Sequence, residues 1–171
     1  GVNTIDLDAA KARDIAVCNM PGTNSQAVAE ATVMLMLSAL RRAASFHAAT
    51  RRGDGWRMDP AIFDRIGEIA GRTVGLVGYG AVASRVAPVL GALGARVLYT
   101  AASAKGTAMA EWRELPALLA ECDVISLHLP LTPETENLLD AAAFAAMKPG
   151  AVLVNTARGG LVDQGALYKA L

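Results

Sequence analysis

The residues richest in chemical content lie in Gly75-Leu76-Val77-Gly78-Tyr79-Gly80-Ala81-Val82-Ala83. Gly78, Gly80 and Ala83 occupy the marked positions of the pattern G-x-G-x-x-G/A. Glycine at 78 permits a tight turn out of a strand. Glycine at 80 lets the backbone approach a pyrophosphate, and a small residue at 83 lets the next helix lie close to the strand. The N–H groups of Ala81 and Val82, at the start of that helix, would face phosphate oxygens, with Tyr79 held between the glycines. The context fits: 73–77 is an apolar run bounded by glycine, as a buried strand is, and 81–93 has helical composition. A glycine pattern between such a strand and helix predicts a dinucleotide site.

About 20 residues on, sites specific for NAD place Asp or Glu on the ribose hydroxyls. This chain has Tyr99-Thr100-Ala101-Ala102-Ser103-Ala104-Lys105 there, with no carboxylate. An acid would repel a 2′-phosphate, so its absence favours NADP over NAD, with Ser103 and Lys105 as candidate contacts; the arginine that would strengthen this reading is missing. The arginines 41, 42, 51, 52 and 57 read as a solvated helix end and loop. Cys18 and Cys122 stand in strand-like apolar runs and are expected to be buried thiols of a reducing compartment. His47 reads as a surface or interface residue. No metal site is expected.

These groups need elements to position them. The chain has 171 residues, enough for one domain with its own core. Hydrophobic residues make up 53%, much of the excess being alanine, which signals helices and close packing. Sixteen basic and sixteen acidic residues balance, so nothing steers the chain toward nucleic acid or anionic lipid. The densest apolar stretch, 28–40, is broken by Glu30, Thr32 and Ser38 and is too short to span a bilayer. With neither an initiator Met nor a secretory signal, the chain is expected to be a soluble, cytoplasmic fragment of a longer protein.

Residues 1–20 read as a helical turn and a strand at 15–18. Thr23 and Gln26 have capping-box spacing, ahead of one long helix over 25–51, apolar nearly all round in its first half and therefore buried on several sides. Residues 53–72 are loop-rich. Strands are predicted at 73–77, 96–100, 124–129 and 151–155. Helices are predicted at 81–93, 115–121 and 141–147, with a last one from 163, capped by Asp163. Alternating strands and helices predict an α/β fold with a doubly wound parallel sheet.

Several further motifs carry a resemblance. Asn155-Thr156-Ala157-Arg158-Gly159-Gly160-Leu161-Val162-Asp163, Leu127-His128-Leu129-Pro130-Leu131-Thr132-Pro133-Glu134-Thr135, Met147-Lys148-Pro149-Gly150 and Val28-Ala29-Glu30 occur in that family's order and resemble the D-isomer-specific 2-hydroxyacid dehydrogenases. The resemblance covers essentially the whole chain. It implies a Rossmann domain and hydride transfer between nicotinamide and a small 2-oxo or 2-hydroxy acid, glyoxylate- or hydroxypyruvate-like. It implies that Arg158 grips the substrate carboxylate, a role that suits a planar, permanently charged fork. It places Thr156 and Ala157 beside the nicotinamide, Leu129 and Pro130 at the carboxyl end of a strand where ligands collect, and Thr135 near the adenosine or pyrophosphate. His128 precedes the position of the family's catalytic histidine and is not expected to be that acid.

The same resemblance divides the chain into the tail of a substrate domain (1–20), an interdomain and dimerisation segment (21–72) and a partial dinucleotide-binding domain (73–171). The family's catalytic histidine and its glutamate partner would follow residue 171, so the chain alone is expected to bind cofactor without turnover. The sheet would be incomplete at its C-terminal edge, with the 151–155 strand open to pairing. Self-association, as a homodimer in the parent, is expected. The alternative reading is a dinucleotide-sensing interaction module like the family's corepressor-type members.

Overall fold

The structure, a computed structural model, describes residues 2, 4–55 and 66–171. The reading of 53–72 as loop, with Pro60 and Arg57 in it, falls largely outside the described residues.

Five parallel strands form the sheet: β1 (Thr73–Val77), β2 (Arg96–Thr100), β3 (Glu111–Trp112), β4 (Val124–Leu127) and β5 (Val152–Asn155). Their spatial order is β3-β2-β1-β4-β5, the first five places of the doubly wound 3-2-1-4-5-6 order. The chain winds outward from β1 through β2 to β3, then returns to β4 on the other side of β1. The topological switch point therefore lies between β1 and β4, and ligands of such sheets bind outside the carboxyl ends of the strands there.

Strand alternation supplies two cores. Val74 and Leu76 of β1, Val97 and Tyr99 of β2, Val124 of β4 and Val154 of β5 face one side. They meet α2 (Ser25–Leu40) and α4 (Ala83–Ala92) through Met36, Leu40, Val86, Ala87 and Leu90. Val77, Leu98, Ile125 and Leu127 face the other side and meet Leu118 and Leu119 of α5 (Leu115–Glu121). Helices α6 (Ala141–Ala146) and α7 (Gln164–Ala170) cover the same face beside β5, α6 bringing Phe144 and α7 bringing Leu167. Each fully buried aliphatic side chain here contributes roughly 1.5–3 kcal/mol of transfer free energy. At Gly75 a Cβ would meet Leu118 Cδ2 at 2.5 Å and Cys122 Sγ at 2.6 Å, so glycine is what lets α5 lie against β1. Asp140 caps α6 and Asp163 caps α7, as the sequence predicts for Asp163.

The amino end of the sheet is clamped by Asp123. Its carboxylate accepts the Thr73 N–H at 2.8 Å and the Lys148 ammonium at 3.0 Å. Partial burial alone would raise its pKa, but these two partners outweigh that and hold it below the usual range. This is the end remote from the ligand crevice.

Several expectations are corrected. The 25–51 helix is two helices, α2 and α3 (Ala43–Arg51). The Leu40 carbonyl accepts the Gly67 N–H at 2.8 Å from the returning chain, and Arg42 turns left-handed at φ 52°. The first half of α2 is expected to be buried on several sides; the buried residues of α2 are Ser25, Ala29, Thr32, Met36 and Leu40, and Met34 and Leu35 are 58% and 42% exposed. The capping box does not form: Asn24 is the N-cap, the Thr23 hydroxyl donates to Met20 O, and Gln26 donates to Glu30. Residues 15–18 form no strand, since no strand among the described residues pairs with them, and Cys18 is exposed rather than buried. The helical turn before them does form, as α1 (Leu7–Lys11), capped by Asp6. Cys122 is buried, although it ends α5 rather than lying in a strand; burial pushes its thiol pKa up to about 12. Strand β3 and the 3₁₀ turn Gly159–Leu161 had no predicted counterpart. Among the described residues no helix is long and apolar enough to cross a membrane.

Candidate functional site

All the predicted site residues follow the carboxyl ends of β1, β2, β4 and β5, so one end of the sheet carries them. Gly78 leaves β1 at φ +96°, and its N–H donates to Thr100 O at 2.9 Å. A Cβ here would meet Leu129 Cδ2 at 2.8 Å and His128 C and O at 2.9 Å. The loops after β1 and β4 thus touch through a glycine that no other residue replaces without movement. Gly80 is the opposite case: a Cβ there meets nothing within 4 Å. It faces open space.

The first hydrogen bond of the following helix runs from Ser84 N–H to Gly80 O at 3.0 Å. The amides of Ala81, Val82 and Ala83 precede it and have no acceptor within the helix. Ala83 is fully buried, which is why only a small residue fits. A tight turn, an open approach at Gly80 and a helix N-terminus together fit a dinucleotide pyrophosphate.

Tyr79, between the glycines, stacks on Tyr99 of β2 with ring centroids 4.5 Å apart and planes tilted by 44°. Tyr99 is buried at 2% exposure. Ser103 and Lys105 are exposed on the loop after β2. That loop holds no carboxylate.

After β4, Leu129 is half-buried against Gly78 and Pro130 is exposed. The Thr135 hydroxyl donates to Pro130 O at 2.7 Å and accepts the Thr132 N–H at 2.8 Å. Thr135 therefore closes the loop that presents Leu129 and Pro130. The His128 N–H donates to Val77 O at 2.8 Å, while its ring Nε2 is buried with no hydrogen-bond partner among the described residues. Burial lowers its pKa to about 4, so the ring is neutral near pH 7.

After β5, the Thr156 and Thr32 hydroxyls lie 2.9 Å apart. Thr32 spends its proton on Val28 O, so Thr156 is the donor. This bond ties the loop to α2. Asn155 does what sequence reasoning left unassigned: its side chain accepts the Ala157 N–H at 3.0 Å and donates to Arg158 O at 2.8 Å. Both bonds fix the backbone of Arg158, whose exposed guanidinium donates to Ala157 O at 2.8 Å. The signal for Asn155 was its type and place, an Asx side chain at a strand end binding its own backbone two and three residues on. His47 is exposed on α3.

A parallel sheet in this order, with a glycine turn at the switch point and helix amides behind it, defines a dinucleotide-binding domain of the NAD(P) type. Residues 33–171 match the family described as D-isomer specific 2-hydroxyacid dehydrogenase, NAD binding domain, and the chain belongs to that family. It is 41% identical to a glyoxylate reductase of Aeropyrum pernix, over the whole of this chain and 53% of that protein. Two solved structures are similar. One is an NAD-dependent formate dehydrogenase from Staphylococcus aureus in complex with NAD (TM-score 0.92, 32% identity, 100% of this chain and 51% of that one). The other is a D-lactate dehydrogenase from Aquifex aeolicus with NAD and lactic acid (TM-score 0.89, 34% identity, 99% and 51%). The chain spans about half the length of these proteins.

Proposed function

We propose that this chain is the dinucleotide-binding part of an oxidoreductase of D-2-hydroxy and 2-oxo acids, that it prefers NADP, and that the parent acts on a small glyoxylate- or hydroxypyruvate-like acid. The observation that carries the reading is the shared end of the sheet: the phosphate turn at Gly78–Ala83 and the Asn155-braced Arg158 both follow the carboxyl ends of the strands. Hydride transfer to and from the C2 carbon is the chemistry a nicotinamide supplies when bound there. This chain's residues bind and orient. Amides of Ala81 and Val82 meet the pyrophosphate. Leu129, Pro130, Thr156 and Ala157 line the nicotinamide end. Arg158 takes the substrate carboxylate and draws electron density from the adjoining carbonyl. The preference for NADP rests on the loop after β2, where no carboxylate opposes a 2′-phosphate and Ser103 and Lys105 are exposed.

Homodimerisation through α2 belongs to the same reading, supported by exposed Met34 and Leu35. A cytoplasmic location is supported by two unpaired cysteines. Residues 1–20 then close a substrate domain and 21–72 join it to the dinucleotide domain. Turnover belongs to the longer protein, and dinucleotide binding to this chain. The test is Arg158→Gln in the full-length enzyme. We expect kcat/KM for glyoxylate to fall about 100-fold or more, with the dinucleotide Kd unchanged. An unchanged kcat/KM contradicts the assignment.

A further inference from the structure

The loop after β2 makes few bonds within itself. Residues 102–106 are Ala, Ser, Ala, Lys and Gly, and all are exposed. Neither the Ser103 nor the Lys105 side chain makes a hydrogen bond or ion pair among the described residues. Tyr99, Tyr79 and Trp112 anchor it from outside. The Lys105 N–H donates to the Tyr99 hydroxyl at 2.6 Å. The Tyr79 and Thr107 hydroxyls lie 3.3 Å apart, and Thr107 also accepts the Met109 N–H at 3.1 Å. The Trp112 indole N–H donates to Ala101 O at 3.3 Å.

Two of these anchors are one aromatic unit. Tyr99 is rooted in the buried core on the α2/α4 side of the sheet, and Tyr79 belongs to the phosphate turn and stacks on it. Both hydroxyls reach past the end of β2 to the loop. The phosphate turn, the core and the loop are therefore joined through two rings. A site that lacks the usual carboxylate discriminates at the ribose by where it places backbone and small polar groups, and such placement demands a rigid support.

We propose that Tyr99 and Tyr79 are positioning residues that fix the backbone of residues 101–107 and thereby set how strongly the chain discriminates between dinucleotides with and without a 2′-phosphate. This deepens the cofactor assignment above and rests on this loop being the adenosine-ribose end of the site. The ring of Tyr99 makes the core contact and its hydroxyl makes the loop contact, so Tyr99→Phe separates them.

The experiment measures Kd for NADPH and for NADH, by fluorescence titration of the full chain, in wild type, Tyr99→Phe and Thr107→Val. The wild-type ratio tests the cofactor preference: a ratio favouring NADH refutes it. The change in ratio tests the positioning role whichever dinucleotide the wild type prefers. Loss of the tether is expected to move the ratio about tenfold toward unity in Y99F, and T107V should shift it the same way. Amide exchange at Lys105 should accelerate at least tenfold in Y99F. A ratio unchanged within twofold in both folded variants, or equal weakening of both dinucleotides, overturns the proposal. If Y99F fails to fold, T107V, altered outside the core, decides by the same criterion.

Discussion

A methyl group added at Gly78 and one added at Gly80 meet different surroundings, and that difference separates folding from binding. Gly78 combines φ +96° with contacts under 3 Å to the β4 loop. We expect Gly78→Ala to destabilise the chain by about 2–4 kcal/mol, from backbone strain plus the clash, read as a lowered urea midpoint. Gly80→Ala has free space and no left-handed backbone, so its midpoint should stay within about 0.5 kcal/mol of wild type. Equal destabilisation by the two would contradict this division. His128 gives a pH signature. Its folded pKa, about 4, lies below the unfolded value near 6.5. Above pH 6.5 both states hold the neutral ring and the stability is fully present. As pH falls from 6.5 to 4, the unfolded chain takes up a proton that the folded chain does not. Stability should drop by up to about 3 kcal/mol across that window. His128→Asn should flatten the curve there, whereas the depressed carboxylates Asp123 and Glu111 act at lower pH. The residue scale was also where sequence was most informative for Gly78, Gly80 and Ala83, because each needs a residue type that little else explains. Asn155, His128 and Tyr99 were not read as working parts, because what they do depends on partners that only folding brings near.

Elements were legible where the pattern was local. The strands 73–77 and 96–100 and the helix 115–121 were predicted to the residue, since each is an uninterrupted apolar run or amphipathic segment between breakers. The break in the 25–51 helix was not legible. Arg41 and Arg42 are ordinary helix formers, and the stop comes from Gly67, 27 residues beyond Leu40, taking the Leu40 carbonyl. Strand β3 was missed for a related reason: its two residues are exposed and carry no apolar run. It is held by the Arg113 N–H on Tyr99 O and by Arg96 bridging Glu111 and Glu121. Strand-like residues 15–18 show the converse, an apolar pattern with no neighbour to pair with. At this scale Gly75 carries a prediction. Gly75→Ala should cost about 1–3 kcal/mol, because Leu118 and Cys122 sit where the methyl would go. A Cys122→Ala background should recover part of that loss, as expected for residues in contact. The measurement is a double-mutant cycle in urea; strict additivity would contradict the close approach of α5 to β1.

The whole molecule has two unlike sheet edges. At β3 the edge is short and lined by Arg96, Glu111, Arg113 and Glu121, a charged finish that discourages further pairing. At β5 the edge strand is bordered by an open apolar groove between β5, α6 and α7, lined by Phe144, Met147, Leu153 and Leu167. Met34 and Leu35 expose further apolar surface on α2. Met34→Glu with Leu35→Glu should weaken a dimer formed through α2 at least tenfold in sedimentation equilibrium, since desolvated like charges would oppose each other. The dinucleotide Kd should be unaffected. An unchanged association constant would remove α2 from the interface. Sequence pointed to α2 as an unusual helix, but the side it leaves exposed was set by α4 and β5, which pack on the other.

The most direct test of the account is calorimetric titration of the chain with NADPH and with NADH, beside a Gly80→Val variant checked for an unchanged unfolding midpoint. Saturable one-to-one binding of a dinucleotide, tighter for NADPH, is expected, with loss of most of that affinity in the variant, because valine fills the space that Gly80 leaves open. A folded wild-type chain that binds neither dinucleotide, or a Gly80→Val variant that binds as well as wild type, would contradict it.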